Sequence, residues 1–411
     1  MIALGRRIRQ GAVWLLLGLA LVVPTIAGLL TPYIIVAIGI GILLVLTVRR
    51  HVIDSYRPLA SRLFLAAFVL LALAFTVSAQ APRDVLFAFN FVMLLLAAPI
   101  AHLLAGAANH ASMTRASVLA AVGVMLTFAM VLYFSLMGDK RPEGLNLGPI
   151  VLSNAALALA AVATMGTIAL KSRWSLFLPL TLVLAVATTV LTQSRGPLIA
   201  VVPLLLFTGG FLWFTRFRGS WLLGGAVAAL VALIAAAAYL LEHGRISRLP
   251  GILAGLFSGE TIVDHTTAVR LALYEAGWKA FLDSPWIGHG WARLMSSVLP
   301  YMSSEMADYA RRLPQLHNDV LNFAVSGGVV GVAAYVLIIA TPCIAAVRSP
   351  HDRWRTARIY GSGALATVYV GGGLTDLMFG HEYHTALYVM LSVIILFYCR
   401  DASETPPSIA T

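Results

Sequence analysis

Charged residues are scarce in this chain: only 11% of its 411 residues are Asp, Glu, Lys or Arg, whereas 60% are hydrophobic. Soluble domains carry about a quarter charged residues and about half apolar ones. The shortage of charge therefore excludes a soluble globular enzyme. The abundance of apolar residues excludes a disordered chain, which needs low hydrophobicity. The class that remains is a polytopic α-helical membrane protein.

Cysteine and the familiar cofactor motifs are also rare or missing. The two cysteines, Cys343 and Cys399, are too few for a disulfide scaffold or a cysteine-rich zinc site. The sequence contains no HExxH, no DxD and no acid pair at metal-ligand spacing, and it contains no Walker or GxGxxG motif. We therefore predict no metal site and no cofactor.

Long apolar runs dominate the chain. A membrane helix needs ~20 mostly apolar residues. Twelve runs approach that length: 12–30, 32–48, 63–79, 85–105, 117–137, 149–170, 174–191, 196–214, 221–241, 320–347, 357–379 and 384–399. We interpret the first run as an uncleaved anchor, although the arginines before it resemble the start of a signal peptide. The predicted fold is all-α with about twelve transmembrane helices.

Basic residues are distributed unevenly between the two sides of the predicted membrane. With a cytoplasmic N-terminus, 17 of the 28 Lys and Arg residues are cytoplasmic and only four lie in short outer loops. This bias follows the positive-inside rule and places both termini in the cytoplasm. The predicted organisation is transmembrane helices 1–9 in 1–241, a helical periplasmic loop in 242–319, and helices 10–12 with a cytoplasmic tail in 320–411. The excess basic charge faces anionic membrane lipids, so it does not indicate nucleic-acid binding.

Two arginines stand out near the predicted outer face. Arg195 follows Gln193 in a very short connection between spans seven and eight, where an arginine is costly unless it has a partner or snorkels to water. Arg270 shares a face of a predicted helix, 267–282, with Tyr274, and Lys279 lies on the opposite face. Both arginines are candidate anion-binding groups. The alternative for each is a stem packed on apolar groups with its head in water.

Histidines mark two further positions. His317 stands with Asn318 and Asp319 where the long loop enters span ten, whose glycines predict close helix packing. A histidine there suits proton transfer near neutral pH, although a hydrogen-bonded structural histidine is the alternative. His289 lies in a Gly- and Pro-rich turn, where a structural role is favoured over a functional one.

A group of polar residues crowds the outer end of span eleven. Asp376 lies within the predicted span, with three more titratable residues nearby, His381, Glu382 and His384. Such a group forms either a proton relay or a local hydrogen-bond network, and we favour the network.

Taken in order, these pieces resemble the O-antigen ligase family. The resemblance rests on Ser-Arg-Gly at 194–196, Arg270 on a helix followed by Pro-Trp-Ile-Gly-His-Gly at 285–290, and Leu-His-Asn-Asp at 316–319. It covers most of the chain in topology, and 192–200 and 264–331 in motif. The resemblance implies a membrane glycosyltransferase of GT-C type in the bacterial inner membrane, with its active site facing the periplasm.

The resemblance also implies substrates and roles. The donor would be an O-antigen linked to undecaprenyl diphosphate, and the acceptor a sugar hydroxyl of lipid A–core. Arg195 and Arg270 would bind the diphosphate, and His317 would act as general base or bind phosphate as an imidazolium. The reaction would be metal-independent and inverting. Lesser candidates are the neighbours Gln193, His289, Asn318 and Asp319.

Three other functions remain open from the sequence. An O-antigen polymerase and a protein O-oligosaccharyltransferase use the same chemistry with a different acceptor. A transporter or flippase for an anionic lipid belongs to another class. It should show charges at mid-membrane and internal repeats, neither of which is prominent here.

Overall fold

The computed structural model describes residues 2–144, 146–216 and 265–401. These residues form helices joined by turns, with an antiparallel bridge between Gly144 and Leu147. The predicted span nine, 221–241, lies outside the described residues, as do the first part of the predicted loop, 242–264, and the end of the tail.

The described helices are numbered here in chain order. Before the gap at 217–264 they are α1 (Ile2–Leu17), α2 (Pro24–Ala27), α3 (Leu30–Val48), α4 (Val52–Ser55), α5 (Leu59–Val77), α6 (Val92–Ala105), α7 (Ser112–Leu136), α8 (Pro149–Ala169), α9 (Leu180–Leu191) and α10 (Arg195–Thr215). After the gap they are α11 (His265–Asp283), α12 (Leu294–Val298), α13 (Ser304–Ala310), α14 (Asp319–Val347), α15 (Arg355–Gly373) and α16 (Glu382–Val393).

Short helices of other types join or extend these elements. The 3-10 helices are Pro82–Phe91, Arg173–Phe177, Trp291–Arg293 and Leu299–Tyr301, and π-helical turns occur at Gly18–Val22 and Ile394–Tyr398. Two of the 3-10 helices lead towards α6 and α9, and they lengthen the apolar segments there.

Within the described residues, eight helical segments are long and apolar enough to cross a membrane. They are Leu30–Val48, Leu59–Val77, Pro82–Ala105, Ser112–Leu136, Pro149–Ala169, Arg173–Leu191, Arg195–Thr215 and Asp319–Val347. Glu382–Tyr398 is apolar but shorter. The first predicted run, 12–30, is interrupted after the π-helical turn and is not a single helix. The protein is thus a polytopic helical membrane protein, and the number of twelve spans stays a prediction.

The core is tightest around α8 and α15. Of the most apolar stretch of 18 residues in α8, 89% is buried inside the protein. Between α10 and α15, a Cβ added at Gly371 would lie 2.6 Å from the Cα of Ala200. Small residues allow helix backbones to approach this closely. The contact brings the first turn of α10 beside the chain that leaves α15.

The helix α14 is broken at Gly328, whose φ of 59° lies in the left-handed region. The chain at 285–290 enters this break. The amides of His289 and Gly290 donate to the carbonyl oxygens of Val325 and Ser326 over 2.8 and 2.9 Å, and the Val329 amide donates to the Pro285 oxygen over 2.7 Å. The loop thereby satisfies backbone groups that the broken helix leaves unpaired. The sequence had predicted an unbroken helix with its glycines facing another span.

Candidate active site

The connection between α9 and α10 is a fixed turn. Gln193 adopts a left-handed conformation with φ of 54°. The Thr192 hydroxyl lies 2.8 Å from that of Ser153 on α8 and donates to that of Ser194 over 3.0 Å. This buried chain of hydroxyls anchors the turn to the core of the bundle. It fixes the position of Arg195, the first residue of α10, which is half-buried.

The start of α10 presses against the segment that follows α15. A Cβ added at Gly196 would lie 2.6 Å from the hydroxyl oxygen of Thr375. The first turn of a helix carries unpaired N–H groups and a positive dipole end, which favour an anion. Arg195 therefore adds its guanidinium to a helix end with the same electrostatic preference.

His317 lies immediately before α14 in a left-handed conformation, with φ of 54°. Its Nδ1 is 3.2 Å from Oδ1 of Asp376, and the two side chains are 19% and 12% exposed. The side-chain amide of Gln315 donates to the same carboxylate oxygen over 2.9 Å. Asn322 in turn accepts from the amide of Leu316 over 3.0 Å. The histidine is thus held in one orientation while part of its ring stays accessible.

The two residues after His317 organise the helix start. Asn318 caps α14, because its side-chain oxygen accepts from the amide of Leu321 over 3.1 Å. Asp319 is buried, and its Oδ1 accepts from the amide of Met378 over 3.0 Å. Both contacts fix the chain that carries the His317–Asp376 pair, so these two lesser candidates lie beneath the site.

Tyr274 connects α11 to this cluster. Its hydroxyl lies 2.9 Å from the carbonyl oxygen of His317 and 3.3 Å from that of Leu374. Burial raises the pKa of Tyr274, the charge of Arg270 lowers it and that of Asp376 raises it. Both charges therefore lie close enough to act on the phenol. Arg270, half-buried and one helical turn before Tyr274, is on the same side of α11.

The electrostatics of Asp376 follow from its partner. Asp376 lies in the connection between α15 and α16. Burial raises the pKa of its carboxyl, but the hydrogen bond and charge of His317 lower it, and the net direction is down. The carboxylate is therefore ionised near neutral pH and can stabilise a protonated imidazole beside it.

His289 has a different environment. Its Nε2 lies 2.7 Å from the carbonyl oxygen of Ala280, near the end of α11. Its backbone belongs to the loop that enters the break in α14. The contact indicates a histidine that fastens this turn, the role favoured from the sequence.

Sequence reasoning missed one member of the cluster. We expected Asp376 to join a local network with His381 and His384, whereas the structure pairs it with His317, 59 positions away. A lone acid within an apolar stretch was the available signal, because such an acid is costly without a partner. Nothing in the spacing identified that partner.

These features place the protein in the class of polytopic helical membrane proteins. It has a histidine–carboxylate pair between two helices that each carry an arginine. Residues 180–336 match the family model described as O-antigen ligase. This segment therefore matches a domain of the O-antigen ligase family, a family of glycosyltransferase-like membrane enzymes, and the resemblance predicted from the sequence is confirmed for these residues. The matched segment includes Arg195, Arg270 and His317 and ends before Asp376. A search of curated proteins gives no match.

Proposed function

We propose that this protein is a lipopolysaccharide O-antigen ligase. It would transfer O-antigen polysaccharide from an undecaprenyl diphosphate donor to a sugar hydroxyl of lipid A–core, on the periplasmic side of the inner membrane. The observation that carries the proposal is the His317–Asp376 pair, partly exposed and placed between the start of α10 and α11. The match to the O-antigen ligase family supports the choice of reaction.

His317 is proposed as the general base. With Nδ1–H donating to Asp376, the neutral ring carries its lone pair on Nε2, which can accept a proton. Asp376 then stabilises the imidazolium that forms, as a carboxylate does wherever it orients a catalytic histidine. A positioned base of this kind contributes about 10²–10⁴-fold to the rate.

Arg195 and Arg270 are proposed to bind the diphosphate. A guanidinium keeps its charge and offers paired N–H donors that match phosphate oxygens. Arg195 stands at a helix start, so backbone dipoles add to its field. Charge placed where the leaving group becomes more negative stabilises the transition state.

The proposed step is a single displacement. The acceptor hydroxyl oxygen forms a bond to the anomeric carbon while its proton passes to Nε2 of His317. The bond between the anomeric carbon and the phosphate oxygen breaks, and undecaprenyl diphosphate leaves with the electron pair. Attack from the opposite face inverts the anomeric configuration. Because the donor is already activated, no nucleotide is consumed.

The two roles considered for His317 predict opposite pH dependence. A general base must be neutral, so the transfer rate should rise from acidic to neutral pH. An imidazolium that binds phosphate must be protonated, so the rate should fall over the same range. We expect the rising profile, measured as initial rates at saturating donor.

Reconstituted transfer tests the proposal. Purified protein is mixed with lipid-diphosphate-linked glycan and lipid A–core, in EDTA and without nucleotide, and the acceptor is followed by gel mobility. We expect a ladder of glycan-bearing lipid with the native protein and with His351→Ala, an exposed histidine elsewhere, but none with His317→Ala. If native, well-folded protein gives no ladder, the ligase proposal is wrong.

Parallel reactions separate the other functions. Product on a glycan acceptor alone would identify a polymerase, and product on a peptide acceptor would identify a protein O-oligosaccharyltransferase. Movement of labelled lipid across vesicles, without glycan transfer, would identify a transporter.

A further inference from the structure

Towards its end, the outer face of α11 exposes apolar side chains beside the salt-bridged pair Glu275 and Lys279. Its inner face packs into a cluster that includes Val269, Leu273, Ala276 and Ala280. On the other face Trp278 and Leu282 are 53% and 56% exposed. In the loop that follows, Trp286 is 72% exposed and Ile287 38%. We call these four exposed residues, Trp278, Leu282, Trp286 and Ile287, the α11 patch. Exposed apolar side chains grouped in this way mark a contact surface.

Hydrogen bonds fix the level of the α11 patch relative to α14. The Val329 amide donates to the Pro285 oxygen over 2.7 Å, and the Val330 amide to the Trp286 oxygen over 3.4 Å. The part of α14 beyond this junction, 329–347, has a length of about 28 Å at ~1.5 Å per residue. The hydrocarbon core of a bilayer is ~30 Å thick. The junction therefore lies where the membrane-spanning part of α14 begins.

Contacts with α5 place the loop after α11 at the same depth as the contacts with α14 do. The guanidinium of Arg293 donates to the carbonyl oxygen of Ser78, over 2.9 Å, directly after the end of α5. A Cβ added at Gly290 would lie 2.9 Å from the Ser78 hydroxyl oxygen. The loop is thus tied to the end of α5 as well as to the break in α14.

The loop of the α11 patch is also bonded to helices that expose apolar side chains at the same end. Val329, which is bonded to the loop, is 46% exposed, and Val77 at the end of α5 is 64% exposed. Both lie in membrane-capable helices. Tryptophan prefers the boundary between headgroups and acyl chains, because its ring is apolar and its N–H is polar.

We infer that the α11 patch is an anchor that inserts into one leaflet of the phospholipid bilayer. The occupant is the headgroup–acyl boundary of that leaflet. The inference does not depend on the proposed reaction. Its consequence is that the end of α11 and the loop after it are held at the membrane surface, at the depth of the headgroup–acyl boundary.

The test places a fluorescent probe at chosen positions of the full-length protein. Both native cysteines, Cys343 and Cys399, are replaced by Ala, and single cysteines are introduced as Leu282→Cys, Trp286→Cys or Asp308→Cys. The labelled proteins are reconstituted into phospholipid vesicles with acyl chains brominated near the glycerol. Asp308, on α13 with a side chain 77% exposed, is the matched position in the same loop.

We expect probes at 282 and 286 to lose fluorescence to brominated lipid and to resist iodide present on both sides of the membrane. The probe at 308 should behave in the reverse way. If the probes at 282 and 286 are quenched by iodide as the probe at 308 is, the anchor does not exist and the patch serves another partner.

A second measurement covers the case in which the cysteine variants do not fold. The otherwise native protein is compared with Trp286→Phe for quenching of its tryptophan fluorescence by brominated lipid. We expect the lipid-quenched part of the signal to decrease in the variant. An unchanged lipid-quenched signal would overturn the inference.

Discussion

The two ends of α15 each have a basic side chain paired with an aspartate, and the two pairs differ in exposure. Near the start of α15, Arg358 is fully buried and its Nη1 lies 2.8 Å from both carboxylate oxygens of Asp352. Beyond the other end, His317 Nδ1 lies 3.2 Å from Asp376 Oδ1, and the two side chains are 19% and 12% exposed.

The two pairs differ in how many nitrogen atoms of the basic side chain have a hydrogen-bond partner within the protein. Arg358 also donates to the Ser349 hydroxyl and to the carbonyl oxygens of Pro350 and Cys399. Its donors are thus turned inward and hold the α14–α15 loop to Cys399, which follows the π-helical turn Ile394–Tyr398. His317 uses one ring nitrogen to meet its acid, and the other can serve a substrate. A pair whose donors are all hydrogen-bonded inside the protein stabilises the fold. A pair that keeps one ring nitrogen for a substrate can take part in a reaction.

The largest expected effect is on activity at the His317–Asp376 pair. We expect His317→Ala to lower glycan transfer by about 10²–10⁴-fold, because a positioned base is lost. The midpoint of thermal unfolding in detergent should stay close to that of the native protein, since the side chain is partly exposed. Equal loss of activity in His351→Ala would mean that the assay reports general damage.

At the buried Arg358–Asp352 pair we expect the main effect on stability instead of on activity. Removing one partner of a buried ion pair costs about 3–5 kcal/mol, because the other charge is left uncompensated. Arg358→Ala should therefore lower the free energy of unfolding by that amount, measured by denaturant titration in detergent. Arg358→Met combined with Asp352→Leu should recover much of the loss. If Arg358→Ala unfolds like the native protein, the contrast between the two pairs is wrong.

An intermediate effect is expected for Asp376→Asn. A hydrogen bond to a charged group is worth about 1.5–3 kcal/mol, so transfer should fall by about 10–150-fold. Because the folded-state pKa of Asp376 is lowered, its ionised pair is intact above the ordinary carboxyl pKa and is lost only as pH falls through the lowered value. Native protein should lose stability in that acidic range, and the variant should lack this dependence. Matching acid profiles would show that the pair contributes nothing.

The sequence predicted an all-helical membrane protein because its apolar runs are long, but it did not predict how the helices meet. Arg358 lies at the start of the predicted span 357–379, and the sequence analysis did not single it out. The structure buries it against an aspartate that lies only six residues earlier, in the preceding loop. The break at Gly328 also escaped notice. A glycine in an apolar run fits close packing and a left-handed kink equally well.

The candidate site was predictable in part. Arg195, Arg270 and His317 were identified from their positions and from the family resemblance, and the structure connects their elements through Tyr274, Thr375 and Asp376. Those connections join residues far apart in the chain. They depend on how α10, α11 and α15 pack, and local periodicity contains no information about that packing.

The smallest expected effect is that of replacing the guanidinium of Arg195 or Arg270 by the ammonium group of lysine. Lysine keeps the positive charge but loses the planar pair of donors, so Arg195→Lys and Arg270→Lys should each forfeit about one hydrogen bond to the diphosphate. One such bond is worth about 0.5–1.5 kcal/mol, which corresponds to about 2–10-fold, and we expect it mainly in the donor KM. Arg173→Lys, at an exposed position, should have no effect. Full retention of the native KM in both site variants would mean that only charge matters there, whereas the paired geometry proposed for diphosphate binding requires a measurable loss.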